Sequence, residues 1–505
     1  MRKMFLIVVA LLSMATAAVA QDSAPSGEIV ISMANDPTSL YLPRAADTAA
    51  YNAALPLYDT LVGRNEKQEI IPSLAESWER SEDGKQYTFK LRHDVMFQNG
   101  EKFTADAVVE TWIAGKDPSN LYPQLYSFAS KVEAVDDYTV KISTESPQVL
   151  FLSKLLQWGI VAPTYMRQVG IEEFEKKPVG SGPFRLVERV SGDRIVMEAN
   201  PDYWRKGYPK LARVTFRIIP DSSTRLAAIQ TGEIDIANRL SADDVATLKD
   251  VSTVKVISYQ NDSLYYVGFK NVGNGVGTPL ENVKVRQALN YAVNRQGIID
   301  AIFNGGASLV SGFLLASDLG YDNAIQPYPY DPEKAKALLA EAGYEKGFSI
   351  SIGCPTDAYL NINEVCLAIQ RDLSAVGVDA TVEFKTSNSY WSEKAYGSVG
   401  PMYVDGWASG SGEALDRLQG ALDPTGFYNT WVDTKLSDQI NTLAATFDRD
   451  ARAKLYKDLQ KYMYDNPPFI YLYTQMIFEA VNSKVEGYSP TSTELINLTD
   501  ISISK

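Results

Sequence analysis

Hydrophobic and polar positions alternate in three short runs: YTFKL (residues 87–91), YTVKI (138–142) and VTFRII (214–219). A period of two built from β-branched and aromatic residues predicts strands. Elsewhere the period lengthens. In VKVRQALNYAV (283–293), Val285, Ala288, Leu289, Ala292 and Val293 recur at three and four residues, which predicts a helix with one apolar face and Arg286 directed away from it. DPEKAKALLAEAGY (331–344) is punctuated at both ends. Asp331 caps, Pro332 fits the first turn, Ala335, Leu338, Leu339 and Ala342 form the buried stripe, and Gly343 stops the helix. DSSTRLAAIQTGEIDI (221–236) starts at Asp221, breaks at Gly232 and runs into a short strand at Ile234 and Ile236. Helices alternate with strands along most of the chain, which argues for α/β domains with helix-covered sheets rather than a sandwich or a bundle.

The first twenty residues follow another pattern. Arg2 and Lys3 precede an apolar stretch from Met4 to Leu12, and small residues lead to Ala18, Val19 and Ala20 before Gln21. This is the composition of a secretory signal peptide over residues 1–20. No later run reaches the roughly 18 apolar residues that a membrane span requires. Gln21 stands where a lipid anchor needs cysteine, so the expectation is an exported, periplasmic chain without a lipid anchor. Processing leaves about 485 residues, room for two to four domains. The net charge of −14 becomes more negative once Arg2 and Lys3 are removed, which disfavours nucleic acid and anionic lipid as partners. Cys354 and Cys366 are the only cysteines. After export they form a disulfide, or they stay as two buried thiols; with no histidine nearby they make a poor metal site.

Chemistry for turnover is sparse. The single histidine, His93, follows a strand and reads as a solvated turn residue. GSGPF (180–184) is no nucleophile elbow, because Pro183 and Phe184 follow the serine where a helix would have to begin. Phosphate-binding glycine loops and dinucleotide fingerprints are missing, and no pair among the 62 acids is singled out for hydrolysis. The expectation is a binder, not an enzyme, with no cofactor and no metal. The rival class is an exported hydrolase acting through two carboxylates.

LAESWERSEDGKQYTFKLRHDVMFQNGEKFTADAVVET (74–111) resembles the signature segment of bacterial family 5 extracellular solute-binding proteins, the dipeptide, oligopeptide and nickel binders of ABC importers. The resemblance continues through VGSGPFRL (179–186), NPDYWRKGYPKLARVTFRIIPDSSTRLAAIQTGEIDI (200–236), VKVRQALNYAVNR (283–295) and YDPEKAKALLAEAGY (330–344), in the family's order over nearly the whole mature chain. It implies the two-lobed periplasmic binding protein fold of the cluster C type. Residues 26–61, 179–262 and 472–505 would build lobe I, 62–178 an inserted subdomain beside it, and 263–471 lobe II. YYVGFK (265–270) and FIYLYTQ (469–475) would cross between the lobes, which close over a ligand by hinge motion. A monomer of this kind would serve an inner-membrane ABC permease. The segment from Cys354 to Cys366 is similar to a branch of the family that pairs two such cysteines, which favours the disulfide.

The same resemblance directs attention to GWASGSGEALDRL (406–418). In the family a Gly-Trp pair of lobe II faces the cleft, and peptide binders place an aspartate soon after it. Here Asp405 precedes Gly406 and Trp407, while Ser409, Gly410, Ser411 and Gly412 stand where that aspartate is looked for. In one reading Trp407 stacks on the ligand, Ser409 and Ser411 offer hydroxyls and Glu413 receives a cation. In the other, Ser411 caps a helix beginning near Gly412, Glu413 faces its positive end, and Arg417 is the partner of Glu413 one turn on. Further candidates are Tyr51 and Asn52 near the ligand, or else on a helix surface; Tyr390 and Trp391 as a second aromatic wall, or else core; Tyr266 as contact or hinge packing; and Arg417 for a substrate carboxylate, or else as an exposed helix residue. The expected cargo is a short peptide or peptide-like conjugate. An oligosaccharide or opine-like solute is the alternative, since the peptide-binding aspartate is missing, and nickel is disfavoured by the scarcity of soft or imidazole ligands.

Overall fold

The computed structural model describes residues 24–504 apart from 46–47, 66–68, 357, 387–388, 391–395, 398, 410–412 and 424–427. The signal segment 1–20, Trp391 and Ser411 therefore lie outside the described residues.

Strand β1 (Glu28–Met33) opens a large sheet, and β2 (Val62–Arg64) with β3 (Ile70–Pro72) makes a small ladder. Next come β4 (Ala75–Arg80), β5 (Gln86–Leu91), β6 (Lys131–Asp136) and β7 (Thr139–Ser143), a separate antiparallel sheet in the order β4-β5-β7-β6. The chain re-enters the large sheet through β8 (Phe184–Val190), β9 (Arg194–Ala199), β10 (Arg213–Ile218) and β11 (Ile236–Leu240). The long β12 (Val254–Phe269) is followed by β13 (Ala307–Leu309), β14 (Phe348–Pro355), β15 (Val378–Lys385), β16 (Met402–Trp407) and a second long strand, β17 (Phe469–Asn482). The large sheet runs β15-β14-β16-β12-β17-β11-β1-β10-β9-β8, with β13 also on β17.

β12 and β17 are common to both ends of this sheet. Residues 254–260 of β12 pair with 476–482 of β17 on the side of β11, whereas 264–269 pair with the start of β17 and with β16. The ladder slips between Gln260 and Leu264, so residues 261–263 mark the crossing from one lobe to the other. Separate apolar cores flank it. Ile29, Ile31, Phe184, Phe216 and Ile236 belong to the first lobe's core, Phe89, Phe97 and Trp158 to that of the inserted subdomain, and Leu264 through Tyr473 supply the second lobe's. Burying each such aromatic or branched side chain contributes about 1.5–3 kcal/mol.

Local signals became the elements they predicted. YTFKL lies in β5, YTVKI covers β7 and VTFRII lies over β10, where buried Val214 and Phe216 alternate with half-buried Thr215. Asp221 accepts from Thr224 N at the start of helix Ser222–Thr231, which Gly232 ends at φ 76°. The strand after it begins at Ile236, two residues past the predicted Ile234. Asp331 caps helix Pro332–Glu341 in the same way. Helix Val283–Ala292 has the predicted apolar face, but Arg286 does not reach solvent. It is buried, donates to the Pro467 and Leu280 carbonyls, and lies 4.4 Å from the Trp431 ring centroid. The three carbonyls that accept from its guanidinium explain its position better than its helical register does.

The inserted subdomain also reaches the second lobe. Val149 N donates to Ala444 O at 2.8 Å, and the Arg80 guanidinium lies 3.7 Å from the centroid of Phe447, whose ring fills the space beside Gly84.

Candidate functional site

The wall contributed by the second lobe is built from the end of β16. Asp405 is buried and accepts from the hydroxyls of Tyr359 and Tyr396 and from Gly406 N. Gly406 has no room for a side chain, since a Cβ there would come within 2.9 Å of the Tyr265 ring. Trp407 is half-buried, meets Tyr428 edge-on at 5.6 Å, and lies across helix Ala414–Leu422 at Gly420. Tyr428 in turn hydrogen-bonds Tyr122 of the inserted subdomain.

The loop beyond Trp407 is tied to the crossing. Ser409 is fully buried; its hydroxyl donates to Glu413 O and accepts from Glu413 N, and its own N–H donates to Asp262 Oδ2 at 3.0 Å. The hydroxyl therefore ties Ser409 to Glu413. Helix Ala414–Leu422 begins after Glu413, two residues later than predicted, and Glu413 pairs with Arg452 at 2.8 Å instead of Arg417. Arg417 is neither exposed nor the partner of Glu413: it is fully buried and bridges Asp262 and Asp318. Two carboxylates converging on one site recruit the guanidinium more strongly than a single helix-surface acid can. Burial pushes the Asp262 carboxyl up to about 6 against the pull of Arg417, and raises Asp318 for the same reason.

The remaining candidates divide between wall and scaffold. Tyr390 is fully buried and donates to Val404 O and Gly353 O, a brace under β16 and not a cleft wall. Tyr266 is buried and packs against Phe313 and Phe469 on the opposite face of β12 from Tyr265. Tyr51 is half-buried. Asn52 is buried, not on a helix surface: its amide donates to Glu494 O and accepts from Ile496 N, which anchors the C-terminal segment. Cys354 and Cys366 are disulfide-bonded, with Cα atoms 6.4 Å apart. His93 is exposed and stacks on Tyr138.

The first lobe contributes residues that the sequence reading missed. Where β1 and β11 end, a cavity of about 20 Å³ is lined by Ser32, Asn52, Asn238, Arg239, Glu479 and Glu494, among others. Arg239 meets Glu494 through both Nε, at 2.6 Å, and Nη2, and Asn261 of the crossing donates to Glu494 Oε1 at 2.7 Å. Glu479 accepts from the Tyr259 and Tyr488 hydroxyls, and burial pushes it up to about 7. These cavity residues come from three distant segments, 32–52, 238–239 and 479–494, and no local motif marks them. Arg239 and Glu494 share one signal visible only in the backbone: both are non-glycine residues at positive φ.

Such an arrangement is suited to holding a polar solute between two walls that share a hinge. Among the described residues no group of three or more His, Cys, Asp or Glu is placed to hold a metal ion, and no helix is long and apolar enough to cross a membrane.

Comparison with known proteins agrees with this geometry. Residues 69–429 match the model of bacterial extracellular solute-binding proteins, family 5 middle. The glutathione-binding protein GsiB of Pectobacterium atrosepticum is 31% identical over 500 residues, 95% of this chain and 94% of that one. The dipeptide-binding protein of Escherichia coli K12 is 33% identical over 470 residues, 86% and 87% of the two chains. Among solved structures, the periplasmic binding protein AgaA of A. tumefaciens R10 in complex with agropinic acid superposes with a TM-score of 0.83 at 26% identity, covering 95% of this chain and 99% of its own. With two lobes, an inserted subdomain, two crossing strands and a family match over most of its length, this chain belongs to the bacterial extracellular solute-binding proteins of family 5.

Proposed function

We propose that the protein is the periplasmic substrate-binding subunit of an ABC importer, and that it captures a short peptide or peptide-like solute and hands it unchanged to the permease. The observation that carries the reading is the shared β12–β17 ladder, which joins two separately cored lobes beside the Trp407 wall. On this reading the lobe boundaries are those given above, Trp407 stacks on the solute and Tyr51 approaches it from the first lobe. The protein acts as a monomer, without a lipid anchor and without catalysis. The peptide class is supported by the relatives' ligands, glutathione and dipeptides, and by a polar cavity that presents both charges.

The test is thermal melting of the mature protein with reduced glutathione and a panel of dipeptides. A solute present at a hundred times its Kd stabilises the folded form by about 2.7 kcal/mol, a clear upward shift. If no peptide shifts the melt, or if the added peptide is recovered cleaved, the reading fails. A second reading, an opine-like conjugate, is favoured by the likeness to AgaA. Agropinic acid added in the same assay separates the two.

A further inference from the structure

The crossing strands carry a buried polar stripe that the Gly-Trp loop does not account for. On β17, Gln475 and Glu479 lie on the face that also carries Tyr473, because side chains alternate along a strand. Tyr265 stacks on Tyr473 at 5.2 Å, and its hydroxyl donates to Gln475 Oε1 at 3.3 Å. Tyr265 also meets Tyr359, whose hydroxyl donates to Asp405, and Asn261, which donates to Glu494, accepts at its carbonyl from Thr474 beside Gln475, so the stripe joins the two walls. Gln475 is only 7% exposed, yet its Nε2 has no hydrogen-bond partner. A buried amide donor left unsatisfied costs about 1–3 kcal/mol, so an acceptor is expected to arrive from outside the fold.

The neighbouring cavity specifies the other half of the ligand. Its volume of about 20 Å³ admits one water-sized group, which is the size of an ammonium. Its charged lining is two carboxylates, Glu479 and Glu494, against one guanidinium, Arg239. Tyrosine hydroxyls engage both oxygens of Glu479, while both oxygens of Glu494 already face positive or amide donors, Arg239 and Asn261, and its charge can be shared between Arg239 and a second cation.

We propose that Glu494 and Gln475 form a subsite for the free amino-acyl end of the solute, with the ammonium in the cavity against Glu494 and the adjoining carbonyl oxygen accepting from Gln475 Nε2. The assignment rests on the peptide reading above. It moves recognition of the amino group from the Gly-Trp loop, where residues 409–412 carry no acid, to the first lobe and the hinge.

The test is a calorimetric cycle with the full mature chain, using reduced glutathione, alanyl-alanine and their N-acetylated forms as probes. In the native protein acetylation is expected to weaken binding by about tenfold or more, the worth of one charge-assisted hydrogen bond. In Glu494→Gln the free-amino probes are expected to weaken by about the same factor, and acetylation then to cost at least several-fold less than in the native protein, the remainder being the steric cost of the acetyl group. Gln475→Leu, which keeps the shape, is expected to weaken free and acetylated probes equally, and it serves if Glu494→Gln does not fold. Acetylation that costs the same in Glu494→Gln as in the native protein overturns the subsite and leaves the peptide reading standing. A native protein that binds neither free probe overturns both.

Discussion

Replacing Arg417 by methionine removes the cation at the base of the Gly-Trp loop while keeping most of its length. Arg417 is 0% exposed, and the side chains of its partners Asp262 and Asp318 are 8% and 5% exposed. One guanidinium between two carboxylates leaves a negative charge in excess. The next cation is Arg64, which burial lowers and which Asp416 and Asp262 hold up. Arg417→Met therefore strands two buried carboxylates, and breaking a buried pair this way costs about 3–5 kcal/mol. Asp262→Asn behaves differently. It removes one of the two anions, leaves Arg417 paired with Asp318 and keeps an oxygen for Ser409 N, so its cost is about 1 kcal/mol. The two variants also differ in how strongly their deficits depend on pH. The Asp262 carboxyl titrates at about 6 in the fold, above the usual carboxylate range, so the folded form takes up its proton first and its ionisation opposes folding as pH rises through 6. Without Arg417 that shift grows. The deficit of Arg417→Met is expected to be largest near about pH 7.5 and to shrink by half or more near about pH 5, whereas that of Asp262→Asn stays small at both. Urea denaturation followed by circular dichroism measures this. Equal losses in the two variants, or a loss for Arg417→Met that acid does not relieve, would refute the account.

Other consequences follow from contacts already described. Reducing the Cys354–Cys366 bond, or replacing both residues by alanine, opens a loop of sequence separation 12 and is expected to cost about 3 kcal/mol, read as a lower Tm in calorimetry with and without reductant. Gly420→Ala places a Cβ 2.1 Å from Trp407 Cζ2, so the indole must move. The expected result is a changed tryptophan emission and a destabilisation of about 1–3 kcal/mol, and an unchanged spectrum counts against the packing described. Phe447→Ala removes the ring between Arg80 and Gly84 that joins the inserted subdomain to the second lobe. Loss of a cation–π contact of about 0.5–2 kcal/mol is expected to shift the protein toward open forms, seen as a larger radius of gyration in solution scattering without ligand.

What the sequence revealed is what short-range physics controls. Asp221, Gly232, Asp331 and the period of residues 283–293 fix caps and faces from neighbours a turn away, and the helices formed where those signals placed them. Arg286 and Arg417 escaped because their acceptors lie far along the chain: Pro467 in one case, Asp262 and Asp318 in the other. Register on a helix says which side an arginine leaves from but not what it meets. The stripe of Gln475, Tyr265 and Glu494 was hidden for the same reason, since none of the three is unusual until the crossing strands bring them together. Trp407 drew attention because the residues around it resembled a known loop. Its packing on Gly420, thirteen positions later, was not.

The placement of β17 between β12 and β11 bears on how the molecule is made. The last long strand completes the sheet of each half, so neither half has all its edges paired until residues 469–482 have emerged. Biogenesis then ends in one late, joint step in place of two successive ones. Losing that strand would leave both halves with open edges, a burden for whichever chaperone receives them.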